Sequence, residues 1–262
     1  MKEVAIKANN WDLWNIRSVA VIASKQDIWA IEKATALGIP YEVLKNSKDP
    51  YEILSILNKY RANIASLNGW LPQIPEEVIS KFSSQGGILL NQHPGPVRAD
   101  WLDFWWAGKL WMYWSRVTTA RVLYLLATSA QWAWVFTEST VHEVIPEVDR
   151  GLPVWIIRMS FPAELDDFRI ESGIIWSKQL DVIEYDNPLD PTIKEIKKII
   201  EKIQALLLPI EHKNVANVFE RLWNWELDLE KEDIYLDSLV PEINKWILIE
   251  AKERAVQLFP KG

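Results

Sequence analysis

The chain has 262 residues, no cysteine, and 29 Lys+Arg against 36 Asp+Glu, for a formal charge of -7. That length accommodates one large α/β domain, or one domain with a small appendage. The composition excludes disulfides, thiolate metal sites and a Cys nucleophile, and its acidic balance suits a small-molecule substrate better than nucleic acid, which needs a basic face.

The first fifteen residues lack the apolar core and cleavage site of a signal peptide. The most apolar stretch, Val117 to Phe136, is interrupted by Arg121 and Gln131, so it reads as a buried helix and not a membrane span. A cytoplasmic location is therefore expected. Ile16–Ala23 is a β-branched run that suits a buried parallel strand. Gln26–Leu37 has helical spacing of Ile28, Ile31 and Ala34, and Gly38 stops it. Tyr41–Leu44 reads as a short strand. Asp49-Pro50 opens a helix over Tyr51–Tyr60. Asn63–Leu67 is a third strand, and the Asn68–Gln73 loop leads to a helix over Pro75–Phe82. Gly87–Asn91 is a fourth strand and runs into His93-Pro94-Gly95-Pro96.

Further along, a helix is expected over Val117–Ala130, and strands over Ser139–Ile145 and Leu152–Met159. Helices follow over Ile193–Leu207 and Pro209–Leu222, a strand or hairpin over Trp223–Tyr235, and a last helix over Val240–Leu258. Alternating strands and helices indicate a parallel sheet with helices on its faces. No linker marks a boundary. Residues 1–226 are read as one α/β domain, with 227–262 as a strand and helix extension packed on it.

In such sheets ligands bind beyond the carboxyl ends of the strands. Asn91 and His93 lie at such an end, on one side of an extended segment because strand side chains alternate. Asn can donate to a developing oxyanion, and His can exchange a proton near neutral pH. A loop His that caps a nearby helix is the alternative. Asp149 lies in a turn between two strands, where it could orient His93. The alternative there is a solvated acidic turn with Gly151 at positive φ. His142 reads as a sheet-face residue and His212 as a structural residue at a helix start.

Four stretches in order resemble the folate-dependent formyltransferase family that includes phosphoribosylglycinamide formyltransferase. They are Asn68–Val78 (NGWLPQIPEEV), Gly87–Pro96 (GILLNQHPGP), Thr140–Pro153 (TVHEVIPEVDRGLP) and Leu208–Asn214 (LPIEHKN). The resemblance spans roughly Ile16 to Glu226. It implies a Rossmann-like, parallel-rich sheet with helices on both faces. The implied reaction is formyl transfer from 10-formyl-tetrahydrofolate, as co-substrate, to a small-molecule amine in one-carbon metabolism and purine biosynthesis. Asn91, His93 and Asp149 would form the catalytic triad. Backbone groups of Leu71, Pro72 and Gln73, and of Ile145, Pro146 and Glu147, would hold the pterin ring. No metal, nucleic acid or membrane is implied. A hydrolase releasing formate from the same folate, and a non-catalytic folate-binding protein, are the competing readings.

The chain departs from this family at its N-terminus. Members begin with a strand, a Gly-rich turn that commonly binds substrate phosphate, and a helix. That unit is reduced or missing ahead of Ile16, which bears on the acceptor.

Composition carries a second anomaly. There are 16 Trp and 9 Gly, whereas average usage would supply about 18 glycines. Trp223-Asn224-Trp225-Glu226 falls where Gly-Asn-Gly-Glu would make an ordinary turn. Both excess and deficit follow if UGA codons, read as glycine in some bacterial codes, are rendered here as tryptophan. A Trp-rich core or stacking surface is the alternative, and Trp70 in the folate loop is expected to be genuine.

Overall fold

The computed structural model describes residues 7, 16–70, 72–93, 136–149, 151–160, 191–223 and 253–258. The chain divides into two compact units. The first comprises Met1–Gln92, Val141–Trp155 and His212–Glu232, and the second His93–Thr140, Ile156–Glu211 and Asp233–Gly262.

The described elements follow the expected alternation. They are β1 (Val21–Ala23), α1 (Trp29–Ala36), β2 (Tyr41–Val43), α2 (Pro50–Lys59), β3 (Ile64–Leu67), α3 (Glu76–Ser84), β4 (Ile88–His93), β5 (Phe136–Glu143), β6 (Pro153–Ser160) and α4 (Pro191–Trp223). The expected helix over Val117–Ala130 lies outside the described residues. So do residues 224–252, which include most of the C-terminal extension; residues 253–258 are helical.

Local chemistry accounts for the element starts. Asp49 caps α2, its carboxylate accepting from the backbone N–H of Tyr51 at 2.9 Å and of Glu52 at 3.4 Å. Pro50 follows in the first turn, where its missing N–H costs nothing. α2 buries Ile53, Leu54 and Leu57, and α3 buries Val78, Ile79 and Phe82, in each case the one-sided spacing of an amphipathic helix.

Two sheets form. β1 pairs in parallel with β2, from Val21↔Tyr41 to Ala23↔Val43. The other sheet has the order β3-β4-β5-β6, and β3 runs parallel to β4 from Ile64↔Ile88 to Leu67↔Asn91. The β-branched run from Ile16 yields only three strand residues, because a strand extends only where a neighbour accepts its hydrogen bonds. β1 and β3 end their sheets, and both line a cavity of about 260 Å³ through Val21, Ile22, Ile64, Ala65 and Leu67.

Adjacent residues of β4 enter different cores. Leu89 packs with α2 and α3 residues, while Leu90 packs with Val141, Val154 and the α4 residues Val215, Ala216, Val218 and Phe219. The strand is thus covered on both faces, as its continuous apolar run ILL requires.

One expectation fails in α4. Two helices were expected, broken at Pro209, but a single helix of 33 residues runs through it. Proline lacks the N–H for one ladder bond, at a cost of ~3 kcal/mol. Burial of Val215, Ala216, Val218 and Phe219 beyond it offsets that cost by holding the next turns in place.

Candidate active site

The parallel register sets Asn91 opposite Leu67, the last residue of β3, and β4 runs two residues further, to His93. Immediately after β5, the N–H of Val144 donates to the carbonyl of Leu89 at 2.9 Å. That bond lays the end of β5 beside β4 and brings His142 alongside Asn91. The loop from Val144 to Leu152 then returns, closed by the Glu143 N–H donating to the Leu152 carbonyl at 2.9 Å. Asp149 is delivered by this loop to the same point.

Three side chains meet there. Asn91 Nδ2 lies 3.1 Å from His142 Nε2 and donates to Asp149 Oδ1 at 3.3 Å. His142 Nε2 is 3.5 Å from the same carboxylate oxygen. On its other side, His142 Nδ1 is 2.7 Å from the carbonyl oxygen of Glu143. His142 is buried, and Asn91 and Asp149 are half-buried, so the cluster opens outward on the amide and carboxylate side.

The backbone of the returning loop is specialised. Asp149 has φ 55°, the left-handed region, which Asp tolerates better than most residues because its short side chain can hydrogen-bond locally. The alternative reading of this turn put Gly151 at positive φ, which Gly151 does not adopt. Glycine is required there for space: a Cβ would lie 1.7 Å from the carbonyl oxygen of Glu143. The physical reason is close approach of two backbone segments.

Of the residues expected at the site, Asn91 and Asp149 are brought into direct contact. His93 is the last residue of β4, buried, and belongs to the second compact unit. Gln73 Nε2 donates to the Pro146 carbonyl at 3.2 Å, joining the two loops expected to hold the pterin. Pro72, Ile145 and Pro146 are half-buried, and Gln73 and Glu147 are exposed. Leu71 lies outside the described residues. His212 is exposed on α4.

His142 is the residue that sequence reasoning set aside. The alternation in Thr140–Val144 shows that it faces one side of a sheet, but not that Asn91 and Asp149 share that side. The available signal was its position one residue from the end of β5, level with the end of β4.

No protein-family model matches the chain, and no curated protein matches its sequence. Solved structures do match. Glycinamide ribonucleotide transformylase 1 from Symbiobacterium toebii superposes with a TM-score of 0.52 at 14% identity, over 86% of this chain and 82% of that one. Phosphoribosylglycinamide formyltransferase from Anaplasma phagocytophilum gives 0.52 at 16% identity, over 88% and 89%. The enzyme from Brucella melitensis gives 0.51 at 16%, over 84% and 88%. The chain has the phosphoribosylglycinamide formyltransferase fold. The likeness is one of architecture, a parallel-rich α/β fold. Among the described residues, no helix is long and apolar enough to cross a membrane.

Proposed function

We propose that the protein transfers a formyl group from 10-formyl-tetrahydrofolate to an amine, with Asn91, His93 and Asp149 as the catalytic residues. The observation that carries this reading is the Asn91–Asp149 hydrogen bond at the strand ends of a formyltransferase fold. It joins a neutral donor to an anionic acceptor at the edge of a buried cluster.

The chemistry follows from those groups. The amine nitrogen attacks the formyl carbon, and the carbonyl π electrons move onto oxygen. An N–H of Asn91 donates to that oxygen as its negative charge develops. The amine loses a proton and the folate nitrogen gains one as the bond between formyl carbon and folate nitrogen breaks. His93 supplies the group able to carry that proton near neutral pH, and Asp149 stabilises its protonated form through water. Products are the formylated amine and tetrahydrofolate.

The loops bonded through Gln73 and Pro146 supply backbone donors and acceptors for the pterin ring. Screening candidate amines with 10-formyl-tetrahydrofolate, while following tetrahydrofolate release, tests the reading. Amine-dependent turnover is expected. Turnover without amine would instead mark a hydrolase, and folate binding without turnover a binding protein.

A further inference from the structure

We propose that His142 is a positioning residue that holds the Asn91 amide in the one sense able to donate to substrate. The inference rests on the formyl-transfer reading, in which Asn91 is the oxyanion donor. A backbone carbonyl can only accept, so the 2.7 Å contact with the Glu143 oxygen puts the ring proton on Nδ1. In the neutral ring Nε2 then carries a lone pair and must accept. Asn91 therefore turns its NH2 group toward His142, at 3.1 Å. The Asp149 carboxylate, also an acceptor, meets the same nitrogen at 3.3 Å.

Both partners thus specify one orientation of the amide. Reversing it would set the Asn91 oxygen against a lone pair and a carboxylate. Catalysis redirects one of the two Asn91 protons to the developing oxyanion, and the longer bond, to Asp149, is the one to yield. Nε2 then remains as the anchor that stops the amide from turning over. Water cannot replace it, because His142 is only 2% exposed.

Gly151 belongs to the same device. The Glu143 oxygen that fixes the His142 tautomer is the atom a Gly151 Cβ would strike at 1.7 Å. The missing side chain leaves that carbonyl free to point at Nδ1. Orientation thus passes from Gly151 to the Glu143 carbonyl, to His142, to Asn91.

Nitrogen-15 NMR of the histidine-labelled protein tests this without any assay of activity, and with three histidines in the chain the signals can be assigned by substitution. The Nδ1–H tautomer is expected, with an Nε2 resonance that moves in Asn91→Ala. The opposite tautomer, or an Nε2 resonance indifferent to that change, overturns the proposal. Kinetics adds a second arm on variants shown to be folded by their thermal transitions. His142→Asn keeps a donor for the Glu143 carbonyl but has no acceptor at the Nε2 position. Its kcat should fall about tenfold, the worth of one hydrogen bond, with KM for the folate changed less than about twofold. His142→Gln reaches that position with an amide oxygen and should recover most of the loss. Equal kcat in the two variants overturns the proposal. A wild-type protein that transfers no formyl group refutes the underlying reading, while the NMR result still decides the tautomer.

Discussion

Gln73 and Pro146, 73 residues apart, are joined by a 3.2 Å hydrogen bond from the side-chain amide of one to the backbone carbonyl of the other. It ties the loop after β3 to the loop after β5, the two segments proposed to hold the pterin. Gln73 is exposed, so its loss should spare stability. Gln73→Ala is expected to raise the folate Kd by about fivefold, the equivalent of ~1 kcal/mol, with little change in the thermal transition. An unchanged Kd in a fluorescence titration would separate the two loops functionally.

Turnover should respond more than binding at the triad. Loss of one oxyanion donor costs ~2.7–4 kcal/mol of barrier stabilisation, so Asn91→Ala should fall ~100-fold or more in kcat. His93→Ala and Asp149→Asn should likewise lose turnover while folate affinity stays near that of the parent. Activity within a few-fold of the parent in all three would remove these residues from the chemistry.

The φ of 55° at Asp149 separates its structural role from its chemical one. Asn shares the tolerance of Asp for the left-handed region, so Asp149→Asn should unfold at a urea midpoint close to that of the parent. Asp149→Val places a β-branched side chain there and should be less stable by ~1–2 kcal/mol. Coincident urea curves for the two variants would show that residue 149 adopts another backbone conformation in solution.

A phosphate-bearing acceptor has no glycine cradle in the first described strand-to-helix turn. Residues 24–28 between β1 and α1 read SKQDI, Ile28 makes no side-chain cap, and Asp27 adds a negative charge. Backbone N–H groups at a glycine turn are the usual phosphate site at such a helix start. Phosphoribosylglycinamide should therefore bind this chain weakly. Micromolar affinity by calorimetry would require a phosphate site supplied by another segment.

Tryptophan content makes a prediction about the gene. Trp29 opens α1 with 57% of its surface exposed, where no packing calls for an indole. Trp155 is half-buried on β6 with Arg221 stacked 3.7 Å from its ring centre. Trp11, Trp14, Trp105, Trp106, Trp111, Trp114, Trp223 and Trp225 lie outside the residues whose side chains are described. UGA is expected at most of these ten codons, with glycine in the native protein by mass spectrometry. UGG at those codons would end the idea.

The sequence by itself determined what is local. Asp49-Pro50 marks a helix start because capping involves residues two and three positions on, and the one-sided spacing in α2 and α3 shows a buried face because the helical period is short-range. The strand at Ile88–His93 was legible in its apolar run ILL, although its expected end at Asn91 falls two residues short of the observed one. Tertiary structure decided the rest. Pro209 reads as a break, yet packing of Val215, Val218 and Phe219 carries α4 through it. Gly151 reads as a turn glycine, yet its role is to clear the Glu143 carbonyl. Alternation assigns His142 to one face of a strand but cannot name its neighbour. Asn91 lies 51 residues from His142 and 58 from Asp149, and only strand pairing and the returning loop bring them within hydrogen-bonding distance. Such contacts depend on how strands are ordered and in what register, and local residue patterns do not encode either.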